Sequence, residues 1–409
     1  MPWFFFLRAT PQSTGWPRDN SPEQYILRTA QGPSQRSARA ALAVWDEAHV
    51  YSCTWSHRRS ERPILVSAAT SVAKARPFQN GMSMKKSDLL IRLWHVYRGY
   101  SRKSQALSFA PLRIWVEPTN VCNLRCTMCP SRLTPASSKG FMEFGLFTKV
   151  IDEASAFAHD AMLFLGGESL LHPRIVEMVA YAKSKGLRCQ INTNAVALKP
   201  ELSANLINAG LDRLVLSIDG HDQQSYEKYR VGGFYPGVLT NAMELLRTKI
   251  TLRSRKPFTT LQSIEFDKPE GVRRARARII SSLGGLAPNE IRCIQPHTFG
   301  GRFLQFQKIK APQYAPCTFL WYSMSVLWDG RIVPCCVDTN GEMAVSNANE
   351  STLMETWNSD AMQTMRRRIA EGDYASFVRC AGCDVLWKSR VGGVPVRYLW
   401  GFFREMFGV

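Results

Sequence analysis

The stretch VCNLRCTMC, residues 121–129, places Cys122, Cys126 and Cys129 within eight positions, with no fourth cysteine nearby. Thiolates at this density read as metal ligands. A structural zinc site takes four protein donors, so three donors with an open position point to catalysis. Three thiolates can hold three irons of a cubic cluster and leave the fourth iron for a substrate or cofactor. A second set follows in PCTFLWYSMSVLWDGRIVPCC and RCAGC, with Cys317, Cys335, Cys380 and Cys383. Taken alone, four thiolates ending in Cys-x-x-Cys suit zinc as well as iron and sulfide. Cys336 adjoins Cys335, and neighbours in an extended segment point to opposite sides, so one of the two faces a shared site. Cys53, Cys189, Cys293 and Cys336 complete the eleven cysteines. Cys189 and Cys293 fall inside expected strands, where a buried, inert thiol is the ordinary outcome.

The elements that must position these groups show in the alternation between about 110 and 300. Short apolar runs at 114–117, 162–165, 188–192, 213–219, 261–266 and 290–294 predict strands. Helices are expected near 146–158, 173–185, 200–209, 237–249 and 270–283. Six β/α units predict an α/β fold, a parallel sheet curved into a partial (β/α)6 barrel. In such barrels chemistry collects on loops at the carboxyl ends of the strands. The three cysteines follow the first strand, LGGES follows the second, NTN ends the third and SIDG ends the fourth. Turns and helix caps explain each of these alone. Four at one face converge on one site.

The chain has 409 residues with 45% hydrophobic and 11% aromatic content, enough for a sizeable core and more than one domain. Residues 1–81 show no sustained period and are expected to be a disordered or spurious extension. A start at Met82 or Met84 keeps every motif. Residues 82–109 are expected to form a first helix, with Leu89, Leu90, Leu93, Val96 and Tyr97 at helical spacing, and lead-in. The barrel takes 110–305, a cysteine-rich domain 306–390, and an aromatic tail 391–409 that is expected to pack on the core.

The net charge of +19 raises the prospect of nucleic acid or an anionic surface. The basic residues are scattered, however: Arg273, Arg274, Arg276 and Arg278 fit the solvated face of a helix carrying Val272, Ile279 and Leu283, and Arg366 to Arg368 form another short run. No run approaches the roughly 18 to 20 apolar residues of a membrane span, and the opening apolar run is short for a secretory signal. Clustered cysteines in odd number fit reduced thiols better than a disulfide framework, so a cytoplasmic location is expected.

CNLRCTMC resembles the signature of the radical S-adenosylmethionine (radical SAM) superfamily, and the order of the later motifs agrees over about residues 110–300. The resemblance implies a [4Fe-4S] cluster on Cys122, Cys126 and Cys129, with S-adenosylmethionine chelating the open iron and Met128 beside the last cysteine. Reductive cleavage would give methionine and a hydrogen-abstracting 5′-deoxyadenosyl radical. Gly166, Gly167 and Glu168 are then expected at the methionine amino group, and Asn194, Ser217 and Asp219 at the ribose or the carboxylate. Beside such a core, the four-cysteine set with Gly330 ahead of Cys335 is similar to the auxiliary iron–sulfur modules called SPASM and, in shortened form, twitch. This implies one auxiliary [4Fe-4S] cluster, with Cys335 rather than Cys336 as ligand.

A four-cysteine cluster has no open iron, which favours electron transfer. The expected enzyme is thus a radical SAM oxidoreductase or maturase that abstracts hydrogen from a small polar metabolite or a peptide and oxidises the product radical. A flavodoxin or ferredoxin is the expected electron donor. Two alternatives remain: modification of RNA or another large anionic substrate, which no aromatic-plus-basic motif supports, and a non-catalytic electron carrier, which would not need the GGE segment.

Overall fold

The computed structural model describes residues 86–387 apart from 221, 265, 267–268 and 307–313, together with 390–391 and 394–395. The expectations for residues 1–81, for the start at Met82 or Met84, for Cys53, for the side chains of Val272, Arg273 and Arg274, and for the aromatic tail beyond 395 lie outside the described residues.

Helix α1 (Lys86–Ser101) opens the described chain. The β/α alternation then follows as β1 (Arg113–Val116), α2 (Phe144–Ser155), β2 (Asp160–Met162), α3 (Ile175–Ser184), β3 (Arg188–Thr193), α4 (Pro200–Asn208), β4 (Arg213–Ser217), α5 (Gln223–Tyr229), α6 (Tyr235–Thr251), β5 (Phe258–Ile264), α7 (Pro269–Ser282) and β6 (Glu290–Ile294). Local chemistry sets several boundaries. Pro200 begins α4 where a helix has no use for an amide donor. Asp222 and Ser225 close a reciprocal cap on α5.

All six expected strands are present, paired in parallel in the order β6-β5-β4-β3-β2-β1. The second lies earlier than its apolar run. The run at 162–165 predicts the strand there, yet the ladder is made by Asp160, Ala161 and Met162. Asp160 can enter the sheet because its two cross-strand neighbours are Arg113 and Arg188, which bond its carboxylate at 2.6 and 2.8 Å. Burial pushes this carboxyl up, and the two arginines outweigh it, holding it well below the usual range.

The sheet does not stop at β1. Beyond a short helix α8 (Phe319–Tyr322), strand β7 (Ser323–Val326) lies parallel to β1 on its free side, with Ile114 opposite Met324 and Val116 opposite Val326. Antiparallel β8 (Arg331–Val333) and β9 (Ser346–Asn347) follow, making this a nine-stranded sheet. The cysteine-rich half therefore continues the barrel sheet. Helix α9 (Leu353–Trp357) contacts α2, α10 (Asp360–Glu371) follows it, and β10 (Arg390–Val391) with β11 (Val394–Pro395) forms a small hairpin.

Arg276 and Arg278 are exposed, but Arg366 is not part of a solvated run. It is fully buried, donates to the carbonyls of Leu320, Gln105 and Trp357, and lies 4.4 Å from the Trp357 ring centroid. It joins α10 to the segments around it.

Candidate active site at the carboxyl ends of the strands

After β1 the chain leaves the sheet through Glu117 and Pro118 and enters the loop of Cys122, Cys126 and Cys129. Leu124, Cys126 and Met128 are buried there, with Cys122, Cys129, Tyr229, Ile264, Phe266 and Phe306 packed against them. The end of α5 and the turn after it hold this loop. Thr127 donates to the Tyr229 carbonyl and Arg125 to that of Val231, both at 2.9 Å. The loop after β2 fixes its start, because the Glu168 amide donates to the Val121 carbonyl at 2.8 Å. Gly167 permits that approach: an added Cβ would stand 2.3 Å from the Thr119 carbonyl oxygen.

Burial raises the Cys129 thiol to about 11, with Cys126 and Cys122 adding to the rise. Cys122 and Cys126 are raised as well, again chiefly by burial. Thiols that resist ionisation because their charges would be desolvated and crowded are a donor set suited to a cationic centre, since metal displaces the protons. Among the described residues no three His, Cys, Asp or Glu side chains gather about a single ion. A cubane takes one thiolate at each iron corner, so its ligands need not meet at one point.

Glu168 is buried in the loop after β2. Its carboxylate accepts from the amides of Leu170 at 3.1 Å and Asn194 at 2.7 Å and from the Thr193 hydroxyl at 2.8 Å, which joins the loop after β2 to the end of β3. Burial raises its pKa despite these donors. Asn194 donates to Asn123 at 2.8 Å and to the Cys122 sulfur at 3.9 Å, while its oxygen accepts from Val196. Ser217 is half-buried at the last residue of β4. Asp219 is fully buried, with Oδ1 accepting from the Ile264 amide at 2.7 Å and Oδ2 bonded by Arg230 at 2.6 Å.

The Asp219 pairing identifies a residue that sequence reasoning missed. Arg230 follows α5, is 12% exposed, and also donates to the Cys126 sulfur at 3.7 Å. Burial works against its charge, and Asp219 with Cys126 outweighs it, so the guanidinium stays ionised. The signal was available in the spacing SIDG to Arg230, yet a polar seven-residue helix gave no reason to look there. Replacing Arg230 by Met strands Asp219 as a buried, uncompensated charge and should cost about 3–5 kcal/mol of stability. The Arg230→Met, Asp219→Asn pair should recover part of it, as read by urea unfolding of the reconstituted proteins. A single-variant loss below about 1 kcal/mol would show that the pair is uncoupled.

The four-cysteine set converges too. Burial first, and then Cys317, Cys335 and Cys383, push the Cys380 thiol far up. Cys336 hydrogen-bonds to Cys335 and raises its neighbour's thiol together with burial. The last barrel loop closes on this set: Thr298 donates to the Gly382 carbonyl at 2.9 Å, and Gly301, at φ 82°, lies with Gly382 Cα 3.0 Å from where a Cβ would be. Cys189, by contrast, is sealed in β3, its thiol raised by burial to about 12, while Cys293 is half-buried.

The comparisons with known proteins agree with this organisation. A model of the radical SAM superfamily matches residues 116–253, and one of an iron–sulfur cluster-binding domain, SPASM, matches residues 317–384. The chain is 24% identical over 316 residues to a tungsten-containing aldehyde ferredoxin oxidoreductase cofactor-modifying protein of Pyrococcus furiosus, covering 66% of this chain and 88% of that one. It is 24% identical over 291 residues to a PqqA peptide cyclase of Gluconobacter oxydans, covering 63% and 79%. Among solved structures, Streptococcus suis SuiB bound to precursor peptide SuiA shares the fold with a TM-score of 0.53 at 15% identity, covering 76% of this chain and 78% of that one.

Proposed function

We propose, for this radical SAM protein with a carboxyl-terminal SPASM domain, that it abstracts hydrogen from a peptide or a small polar metabolite and passes on a further electron through the auxiliary site. The chemistry supplied by the bound cofactors is one-electron cleavage of S-adenosylmethionine to a hydrogen-abstracting 5′-deoxyadenosyl radical. The observation that carries the second half of this reading is the convergence of Cys317, Cys335 and Cys383 on Cys380. It also favours Cys335 over Cys336 as the fourth ligand.

The chain's own residues divide the work. Cys122, Cys126 and Cys129 hold three irons. Gly166, Gly167 and Glu168 face the methionine amino group, where a carboxylate suits an ammonium. Ser217 takes the ribose or the carboxylate. Asn194 and Asp219, with their polar atoms engaged by the protein, act as positioning residues, Asn194 on the cysteine loop and Asp219 through Arg230. Tyr229 stacks on Phe266 with centroids 3.9 Å apart, and Phe266 meets Phe306 at 5.6 Å. This aromatic flank keeps water from the loop. A peptide substrate draws support from relatives whose names specify peptides, the PqqA peptide cyclase and SuiB with its precursor. A flavodoxin or ferredoxin is the proposed electron source.

The test is anaerobic reconstitution followed by dithionite and S-adenosylmethionine. Formation of 5′-deoxyadenosine is expected, and its absence from protein that holds iron and sulfide would leave only an electron carrier.

A further inference from the structure

The cysteine loop is preceded by a buried acid that the chemistry above does not use. Glu117 is the first residue beyond β1 and is fully buried. Its carboxylate accepts from the Gly166 amide at 2.8 Å through Oε1 and from the Trp328 amide at 3.2 Å through Oε2. Gly166 begins the Gly-Gly-Glu segment after β2, whereas Trp328 lies in the turn between β7 and β8, within the SPASM half. The Glu117 amide itself donates to Val326 at 2.9 Å. One residue thus ties the segment facing the methionine amino group to the cysteine-rich half.

We propose that Glu117 is a positioning residue, a carboxylate clasp that holds the Gly166–Glu168 segment in its binding geometry by anchoring it to the β7–β8 turn, so that S-adenosylmethionine affinity depends on the SPASM half. The proposal rests on the reading that this segment meets S-adenosylmethionine.

The two amides meet different oxygens, and an ionised carboxylate offers a full acceptor at each. Burial raises Glu117 to about 7, against the two amides, with Asp329 adding to the rise and Arg331 opposing it. These last two come from the turn and from β8 and are paired at 2.7 Å. From the β2 side the nearby acid is Glu168, already bonded to Leu170, Thr193 and Asn194. Because the folded pKa lies above the unfolded value, burial of Glu117 costs stability increasingly as pH rises from the ordinary carboxylate range to about 7. The doubly accepting form is the one populated above that point. As pH falls through about 7, one oxygen becomes a hydroxyl and the clasp loses an acceptor.

Glu117→Gln keeps the shape and turns an NH2 group toward one of the two amides. In the anaerobically reconstituted protein it should weaken S-adenosylmethionine binding about tenfold, the scale of one buried hydrogen bond, at unchanged iron content. Wild-type affinity measured by calorimetry should fall between pH 8 and pH 6, and the variant's should lose that step. A residue that merely supported the fold would not move the pH profile. Independently of any ligand, hydrogen exchange at the Gly166 and Trp328 amides of the wild type, corrected for intrinsic rate, should loosen together as pH falls through about 7. Unaltered affinity and profile in the variant, or amides that exchange independently, would overturn the clasp. Wild type that binds no S-adenosylmethionine would instead count against the function proposed for the site, and the exchange measurement would still decide the clasp.

Discussion

Replacing Cys122, Cys126 or Cys129 singly by alanine should abolish 5′-deoxyadenosine formation. Each thiolate is assigned one iron, so losing one should empty the site rather than retune it. The iron content should fall by about four, the auxiliary cluster being retained. The fold should survive, because the loop is held by backbone bonds from Thr127, Arg125 and Glu168 that do not involve the sulfurs. Cys126→Ala is the most informative variant: it removes the sulfur that Arg230 bonds and leaves the Arg230–Asp219 pair in place. Retained 5′-deoxyadenosine formation in that variant would contradict the ligand assignment.

The second large effect separates the two clusters. Cys380→Ala with Cys383→Ala should leave about four irons instead of about eight, taking each cluster as a four-iron cubane. Such a protein should still release 5′-deoxyadenosine and form little product, because hydrogen abstraction precedes the electron transfer assigned to the auxiliary site. Local folding is the competing explanation, since a metal site often supports its own surroundings. Circular dichroism and gel filtration must therefore show an intact, monodisperse variant before the iron count is read. A variant that keeps about eight irons would refute the four-cysteine assignment. Zinc in the wild type would make the site structural and remove the electron acceptor.

The sequence made the barrel legible because each β/α unit announces itself locally. β6 lies where its apolar run ends and begins, at Glu290–Ile294. β2 was displaced because Asp160 does not look like a strand residue until its partners Arg113 and Arg188 are known, and those pairings are distant in sequence. For the same reason β7 was not expected: nothing within Ser323–Val326 reveals that its neighbour is β1. At the site, cysteine spacing marked both thiol groups. Arg230 and Glu117 escaped notice because a buried charge is recognised by what it touches, here Asp219 and two backbone amides. Asp219 and Asn194 carried a polar signature at the right strand ends, yet their polar atoms are engaged by the protein itself.

The placement of β7 bears on how such a chain could be inherited. Leu112 donates to Tyr322 and Glu117 to Val326, so the ladder runs the full length of β1. A chain ending before Cys317 would leave that row of amides and carbonyls bare, and an uncovered strand edge recruits other strands. The two cysteine-bearing halves are thus unlike beads that evolution can swap at will. A lineage that discards the second half has to cover or blunt the β1 edge in another way.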